Sequence, residues 1–424
     1  MDIKEYLKVL DSESLYRERM YKRYTAERIP IKTETLPKYL QADVDKKTKA
    51  DRRLVNHFEG EIVNTKTGYF AGNPVIITSY DQEDTLNDFL DEFNISFNYE
   101  DLFSEITSDA AASGVAGVLL YKDEDADIRV FKLNPAEFAV FRHLGDPVAA
   151  VRRYSKNGKV YVEQFDKESV MRYEIIKGEP VLQGEPEMHG FRRVPIVEVM
   201  NNRNKQADYH TAVDSIDAYN RLISDFSNEI ESFRLAYMIL RNMSADEKDL
   251  KALRETGAIH VDDDGEVSFL TKKLDVAAVD KMREILEKNI ARFSGHVVMS
   301  STDFTGNLTR IAVQTKLTPL EQKAHTFQLK FTSFLREFYR TVFSYKGLSQ
   351  SFDHTNLTFK YTRNIPRNVV EDVDIFVKLD GKISDETRLS MLPFIDNPLD
   401  EKEKMEREGG TEQPPDRTVV DEQT

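Results

Sequence analysis

The sequence predicts an α+β fold, and three observations carry the prediction. A heptad-spaced apolar stripe runs through residues 212–241, a block of short alternating strands fills 118–176, and a second long amphipathic helix starts at Pro319. In the first of these, Ile216, Tyr219, Ile223, Phe226, Ile230, Phe233, Tyr237 and Leu240 follow one another at spacings of three and four. That alternation puts them all on one seam of a supercoiled helix. The opposite face is polar, with Asp217, Asn220, Arg221, Ser224, Asp225, Asn228, Glu231 and Ser232, and is expected to meet solvent. A helix of roughly thirty residues spans roughly 45 Å, longer than a small domain is wide. Such a helix is a strut that packs along its length against neighbours. The seam fits equally the core face of a bundle helix or a contact between self-associating struts.

Composition narrows the function classes. The 424 residues are 40% hydrophobic and 31% charged, a balance that supports a buried core in two or three compact units. No apolar run reaches eighteen residues, so no membrane span is expected, and the first residues lack the basic-then-apolar order of a signal peptide. The chain contains no cysteine, which excludes disulfides and thiolate metal sites and fits a reducing compartment. The formal net charge of −15 argues against a tight grip on a phosphate backbone, whose affinity comes from neutralised phosphates. A surface that nucleic acid must pass without sticking has the same sign.

The first 60 residues read as helical and highly charged, anchored by Tyr6, Leu7 and Leu10 and by Tyr16, Tyr21 and Tyr24, with a break at Ile29-Pro30-Ile31. Gly68, Gly72 and Asn73-Pro74 mark a turn before a short strand over 75–79. Leu86, Phe89, Leu90 and Phe93 predict a helix over 85–94, and a small-residue helix follows over 101–116. Strands are expected at 118–121, 128–133, 139–141, 148–154, 160–165 and 170–176, with Asn157-Gly158 as a hairpin signal. After the long helix, Ser244 caps a short helix through Arg254, and 258–261 pairs with 267–270 across Asp262-Asp263-Asp264-Gly265. A helix resumes over 276–293, with Val279, Met282, Ile285, Leu286, Ile290 and Phe293 on one face. Residues 294–318 read as a loop longer than usual connections, which tilts it toward function. The Pro319 helix runs to Phe343, a strand covers 357–362, and Ser384 caps a helix to Leu392. Beyond Leu399 the chain is nearly devoid of apolar residues, and its end is expected to be disordered.

Signatures of catalysis are missing. The chain has no phosphate-binding glycine loop of either common type, no H-E-x-x-H and no G-x-S-x-G. Its histidines stand alone, and 262–265 lacks the ligand spacing of a calcium loop, so neither a metal nor a cofactor is expected. Three readings remain: an assembly component, a cytosolic coiled-coil scaffold or adaptor, and a hydrolase whose carboxylates have no motif.

Several stretches, in their order along the chain, resemble the portal proteins of tailed phages, of the type found in siphophages of Gram-positive hosts. They are residues 63–75 with Thr67-Gly68-Tyr69-Phe70-Ala71-Gly72-Asn73-Pro74, Gly117-Val118-Leu119-Leu120-Tyr121, Leu133-Asn134-Pro135, Val194-Pro195-Ile196-Val197-Glu198 with Asn201-Asn202, residues 216–225, and Leu317-Thr318-Pro319-Leu320-Glu321-Gln322-Lys323-Ala324. One departure is Thr309-Arg310-Ile311-Ala312-Val313-Gln314, where the family commonly has Ser-Gly-x-Ala-Leu-Lys.

The resemblance implies a non-enzymatic homo-oligomeric ring, generally of twelve subunits, at one capsid vertex. Double-stranded DNA passes through it without sequence preference, driven by the terminase large subunit, and head-completion or adaptor proteins dock on it. Major capsid and scaffolding proteins are further implied partners, assembly takes place in the host cytoplasm, and no membrane is involved. The implied portal fold has a mixed α/β wing (1–205 and 319–380), long stem helices (206–242 and 276–297), an α/β clip insert (243–275) and a tunnel loop region (298–318). A small helical crown (381–408) and a disordered tail (409–424) complete it. Ser301, Thr302, Thr305, Asn307, Thr309 and Arg310 become the implied channel residues and Lys272 and Lys273 implied clip contacts. The apolar seam becomes the implied stem packing.

Overall fold

The computed structural model describes residues 2–33, 52–232, 237–241, 266–270, 275–298, 310–346, 352–365 and 375–389, with a few further positions up to 407. Residues Met1–Asn364 form one compact unit and Ile365–Thr424 a second.

Helices α1 (Ile3–Tyr24) and α2 (Pro30–Thr33) open the first unit, α1 started by a capping box between Asp2 and Glu5. Helix α3 (Phe58–Ala71) takes in Gly68, and the expected turn before β1 is confined to 72–74. Its glycines lower its propensity, and burial of Ile62, Val63, Tyr69 and Phe70 overrides that weak preference. Strand β1 (Ile76–Ser79) leads into α4 (Asp84–Ser96) and α5 (Tyr99–Ser113). Helix α5 ends on Gly114 in the left-handed region at φ +93°, where an added Cβ would stand 2.1 Å from the Lys205 carbonyl oxygen. Ala110, Ala111 and Ala112 just before it are fully buried, the close approach that small side chains permit.

The expected β-rich block is present but divided between two antiparallel sheets. One has the order β3-β2-β9, from Ile128–Leu133, Val115–Lys122 and Ile196–Met200. The other is a meander of β4 (Phe138–His143), β5 (Asp146–Lys156), β6 (Lys159–Phe165), β7 (Ser169–Ile176) and β8 (Glu179–Met188). Strand β8 escapes the sequence pattern because it is an exposed edge: Pro180 and Pro186 are tolerated there, and no alternation is imposed by a core.

Helix α6 (Val213–Ser232) follows a single 3₁₀ turn, His210–Ala212. Strands β10 (Tyr237–Arg241) and β11 (Glu266–Leu270) come next, then helix α7 (Val276–Ser294). Helix α8 (Arg310–Phe343) is the longest element, and β12 (Leu357–Lys360) returns to pair antiparallel with β1, Ile77 opposite Phe359. Phe327, Phe331, Phe334 and Phe338 of α8 are buried in an aromatic seam that reaches Phe70 at 4.9 Å, Phe103 at 5.6 Å and Phe93 at 6.3 Å between ring centroids. In the second unit, α9 (Asp385–Leu389) is capped by Ser384, whose hydroxyl accepts the Thr387 N–H at 3.3 Å. Among the described residues, no helix is long and apolar enough to cross a membrane.

Three further corrections concern the long helices and the insert. The heptad helix ends at Ser232, and Tyr237 and Leu240 lie in strand β10, not on the helix seam. A short apolar run satisfies helix and strand periods alike, so spacing alone could not separate the two. Second, residues 267–270 pair with 237–241 across a long insert, Ile239 opposite Ser268, and 258–261 lies outside the described residues. Third, the Pro319 helix begins at Arg310, which makes Arg310 a helix residue instead of a loop residue. Buried Leu317 continues the seam three residues before Leu320, so the apolar beat runs through the proline.

Candidate functional site

The seam helix α6 is seated by a cluster at its N-terminal end. Ile216 is fully buried and Tyr219 nearly so, packed with Met20 of α1, Ile62 and Val63 of α3, Ala111 and Ala112 of α5, and Leu286 and Ile290 of α7. Tyr209, just before the helix, is fully buried, its hydroxyl 2.5 Å from the Met20 carbonyl oxygen and 3.0 Å from that of Ala112. Arg23 of α1 is buried and clamps the same end. It donates to Asp217 Oδ1 at 2.6 Å and Oδ2 at 3.3 Å, and to Glu59 Oε1 at 3.0 Å. A planar guanidinium shared between two carboxylates fixes three helices by direction as well as charge.

The expected solvent-facing polar stripe of α6 has a different role. Asn220 and Ser224 are buried, and with Asn228 they sit four residues apart along one edge of the helix. The extended segment 52–56 lies along that edge. Asn220 Oδ1 accepts the Asn56 N–H at 2.8 Å, Ser224 Oγ accepts the Leu54 N–H at 2.9 Å, and Asn228 Oδ1 accepts the Arg52 N–H at 2.7 Å. Spacings of four thus let side-chain oxygens stand in for a partner strand and satisfy the backbone of the segment. The signal was present as Asn-x₃-Ser-x₃-Asn, but nothing local distinguishes it from an ordinary hydrophilic face.

Helix α7 starts at Asp275, whose carboxylate accepts the Ala278 N–H at 3.0 Å, and ends at Gly295 at φ +62°. Tyr219 donates to Glu287 at 2.9 Å, and Arg283 bridges Glu287 and Asp280, each at 2.8 Å, so a polar rail accompanies the α6–α7 packing. At its end, buried His296 lies 3.0 Å from Glu61 and holds that carboxyl below its usual pKa through the hydrogen bond. Only Leu286 and Ile290 of the expected α7 face are buried. Met282, Ile285 and Phe293 are 45%, 43% and 50% exposed, and Ile230 of α6 is 49% exposed. Met282 of α7 and Ile230 of α6 thus leave apolar side chains uncovered away from the base cluster, and Phe293, whose carbonyl accepts from Thr211, leaves one beside it, the pattern of a surface awaiting a partner.

A buried polar node ties α8 to the loop that enters α6. Lys66 of α3 is almost inaccessible, 3.0 Å from Asp208, bonded to Asn201 and 4.3 Å from the centre of the Phe327 ring. Lys323 of α8 donates to the Asp208 carbonyl at 2.8 Å and stands 3.5 Å from its carboxylate. Burial pushes the Lys66 ammonium pKa down. Burial works against the Asp208 carboxylate too, but Lys66 and Lys323 outweigh it and hold its pKa below the ordinary value. Sequence reading missed this node, since its members are scattered over 66–323.

Of the sequence-predicted site residues, Ile216, Tyr219, Ile223, Phe226 and Ile230 share α6, and Tyr237 and Leu240 belong to β10. Arg310 opens α8. Phe233, Lys272, Lys273, Ser301, Thr302, Thr305, Asn307 and Thr309 lie outside the described residues, as do the Ser244 helix and the chain end from 408.

Comparison with known proteins supplies a family for this arrangement. The portal protein of Clostridium phage phiCD119 is 25% identical over 388 residues, which cover 84% of this chain and 84% of that one. The portal protein of Bacillus phage SPP1 is 25% identical over 390 residues, 85% of this chain and 77% of that one. A chain from the neck of a native GTA particle, computed with C12 symmetry, shares the fold at a TM-score of 0.50 and 13% identity, covering 79% of this chain and 89% of that one. The family described as phage portal protein, SPP1 Gp6-like, matches residues 11–415, and the chain belongs to it.

Proposed function

We propose that this chain forms a ring of generally twelve copies at one capsid vertex, through which double-stranded DNA enters during packaging and leaves at exit. The family match over residues 11–415 carries this reading. The chain then acts as a structural conduit with no catalytic step of its own. A terminase large subunit supplies the work of packaging, and head-completion or adaptor proteins dock on the ring. Major capsid and scaffolding proteins surround it, and assembly in the host cytoplasm precedes its place in the virion.

In this reading α6 and α7 form the stem, and the β10–β11 hairpin with the insert between its strands forms the clip. The tunnel loop contracts to the segment before Arg310, with Ser301, Thr302, Thr305, Asn307 and Thr309 facing DNA and Lys272 and Lys273 touching it transiently from the clip. The net charge of −15 supports passage over adhesion, because an acidic lining repels phosphate. A coiled-coil adaptor is disfavoured: Tyr237–Arg241 is a strand, so the helical seam falls short of the sustained heptads that pairing with a separate helix requires.

Negative-stain images of the purified protein test the reading. Rings with a central hole wide enough for duplex DNA are expected, and monomers or dimers at every concentration would sink it. Deletion of residues 301–309 is expected to leave rings intact while heads fail to fill or retain DNA. Normal DNA-filled heads would remove that segment from the channel.

A further inference from the structure

The outer face of α8 carries a concentration of positive charge that is unusual in so acidic a chain. Arg336 and Arg340, one turn apart, open into a pocket of about 320 Å³ with Arg193, His354, Asp146 and Glu337. Its acids do not neutralise it. Glu337 is engaged by Arg142 at 3.1 Å, and the exposed Asp146 is shared at 3.9 Å from Arg193 and 3.8 Å from Arg340. Arg336 makes no ion pair with a described residue. The mutual repulsion is visible in His354 and Arg193. Burial first, and then Arg340, pushes both pKa values down. Two uncovered apolar residues flank the site: Leu329, on the same helical stripe as Ser333, Arg336 and Arg340, is 59% exposed, and Leu144, beside Gly145, is 95% exposed.

The complement lies on the same protomer. Between Ser79 and Asp101 the chain carries eight carboxylates and no lysine, arginine or histidine. Asp84, Asp88 and Asp91 of α4 are spaced along its exposed face, opposite buried Leu86, Leu90 and Phe93. No ion pair joins any of these carboxylates to a described cation. Here too exposed apolar residues flank the charge, Tyr80 at 76% and Ile95 at 75%. Helix α4 packs on the inner face of α8, through Phe93 against Phe338 and through a 2.6 Å bond from the Tyr339 hydroxyl to Asn94. The pocket opens on the outer face. A protomer therefore displays an acidic and a basic surface on different sides of one helix, and neither can reach the other within the chain.

Two complementary patches that point apart are the requirement for a head-to-tail contact, which forms a ring where the rotation between copies closes. We propose that the Arg193–Arg336–Arg340 pocket receives the acidic face of α4 from a second copy of this chain. The inference rests on the ring reading above and specifies which surfaces meet. Opposite charge supplies register and speeds encounter, and the flanking apolar residues supply the buried area.

Charge reversal with rescue tests it. Arg336→Glu with Arg340→Glu is expected to lower the ring fraction about tenfold or more at fixed concentration, since like charges would then face each other at every contact. Asp84→Lys with Asp88→Lys and Asp91→Lys is expected to do the same, and one chain carrying all five changes should assemble again. Recovery also shows that the changed chains fold. Because the natural chain lacks cysteine, Asp88→Cys with Ser333→Cys gives an independent readout. A short bismaleimide should produce a ladder of covalent multimers from this double variant and from neither single one. Rings that give no ladder, reversed chains that assemble like wild type, or five-change chains that stay dispersed each overturn the contact while the ring reading stands. So does a reversed-arginine variant that assembles normally and only loses DNA, which would make the pocket a phosphate site. Wild-type chains that never form rings overturn the ring reading and this contact together.

Discussion

Replacing Ile223 and Ile230 with aspartate is expected to abolish ring assembly while leaving the protomer folded. Ile230 is 49% exposed in the isolated chain, so a carboxylate there meets water and costs the protomer little. Ile223 is half-buried at the edge of the base cluster, so its change carries a modest folding cost and Ile230→Asp alone is the cleaner variant. In the proposed ring, with the apolar seam as the stem packing, the same positions face a neighbour. Each isoleucine covered there contributes roughly 1.5–3 kcal/mol, and an unpaired carboxylate in its place adds a desolvation penalty. The loss recurs at every interface of the ring, so its effect on closure is far larger than at one contact. Ile216→Asp is the contrasting case. Ile216 is fully buried among Met20, Val63 and Ile290, and aspartate there should unfold the chain. Size-exclusion chromatography with light scattering and circular dichroism separates the two outcomes. Rings at wild-type abundance from the Ile230→Asp chain would show that the uncovered seam is not an assembly contact.

The same seam shows how far the sequence can be read. The three-four spacing finds Ile216 to Ile230 correctly because one side of α6 is apolar and the other is not. It overruns into Tyr237 and Leu240 because five residues of Tyr-Met-Ile-Leu-Arg satisfy both periods, and only the distant partner 266–270 decides for a strand. Strands 128–133 and 170–176 were legible from alternation and turn residues, whereas β8, exposed along its length, had no alternation to show. Helix α3 was missed for the opposite reason. Buried on several sides and holding Gly60 and Gly68, it lacks the one-sided pattern that betrays a surface helix. Proline favours the first turn of a helix and so points to a start of α8 near 319, although Leu317 already keeps the beat from Arg310 onward. What no local pattern could supply is the long-range polar chemistry. Asn220, Ser224 and Asn228 hold a segment 164, 170 and 176 residues earlier in the chain, respectively. Charged residues such as Arg23 and Lys66 read as surface until their partners are seen.

Asp208→Ala is expected to destabilise the protomer by about 3–5 kcal/mol, because it strands Lys66 as an uncompensated buried charge. Asn201 and the face of Phe327 remain as its neighbours, and neither carries a full negative charge. The pH dependence has a definite sign. In the wild type the Asp208 pKa is depressed, so the stability it confers is present above its unfolded value of about 3.9 and is lost as pH falls through the folded value. Lys66 is a base with a lowered folded pKa, so the unfolded chain binds more protons and stability rises with pH toward about 10.4. Removing the carboxylate lowers the Lys66 pKa further and widens that window. The Asp208→Ala chain should therefore be closer to wild type at pH 10 than at pH 7. Adding Lys66→Met should recover most of the loss at pH 7, since the stranded charge is gone and the methionine still covers Phe327. Because Lys323 donates to the Asp208 carbonyl, the same loop links α8 to the start of α6. The single variant should accordingly lose rings in step with its unfolding midpoint, and the double variant regain them. A double variant as unstable as Asp208→Ala would mean that the carboxylate stabilises through the loop itself and that the charge of Lys66 is incidental.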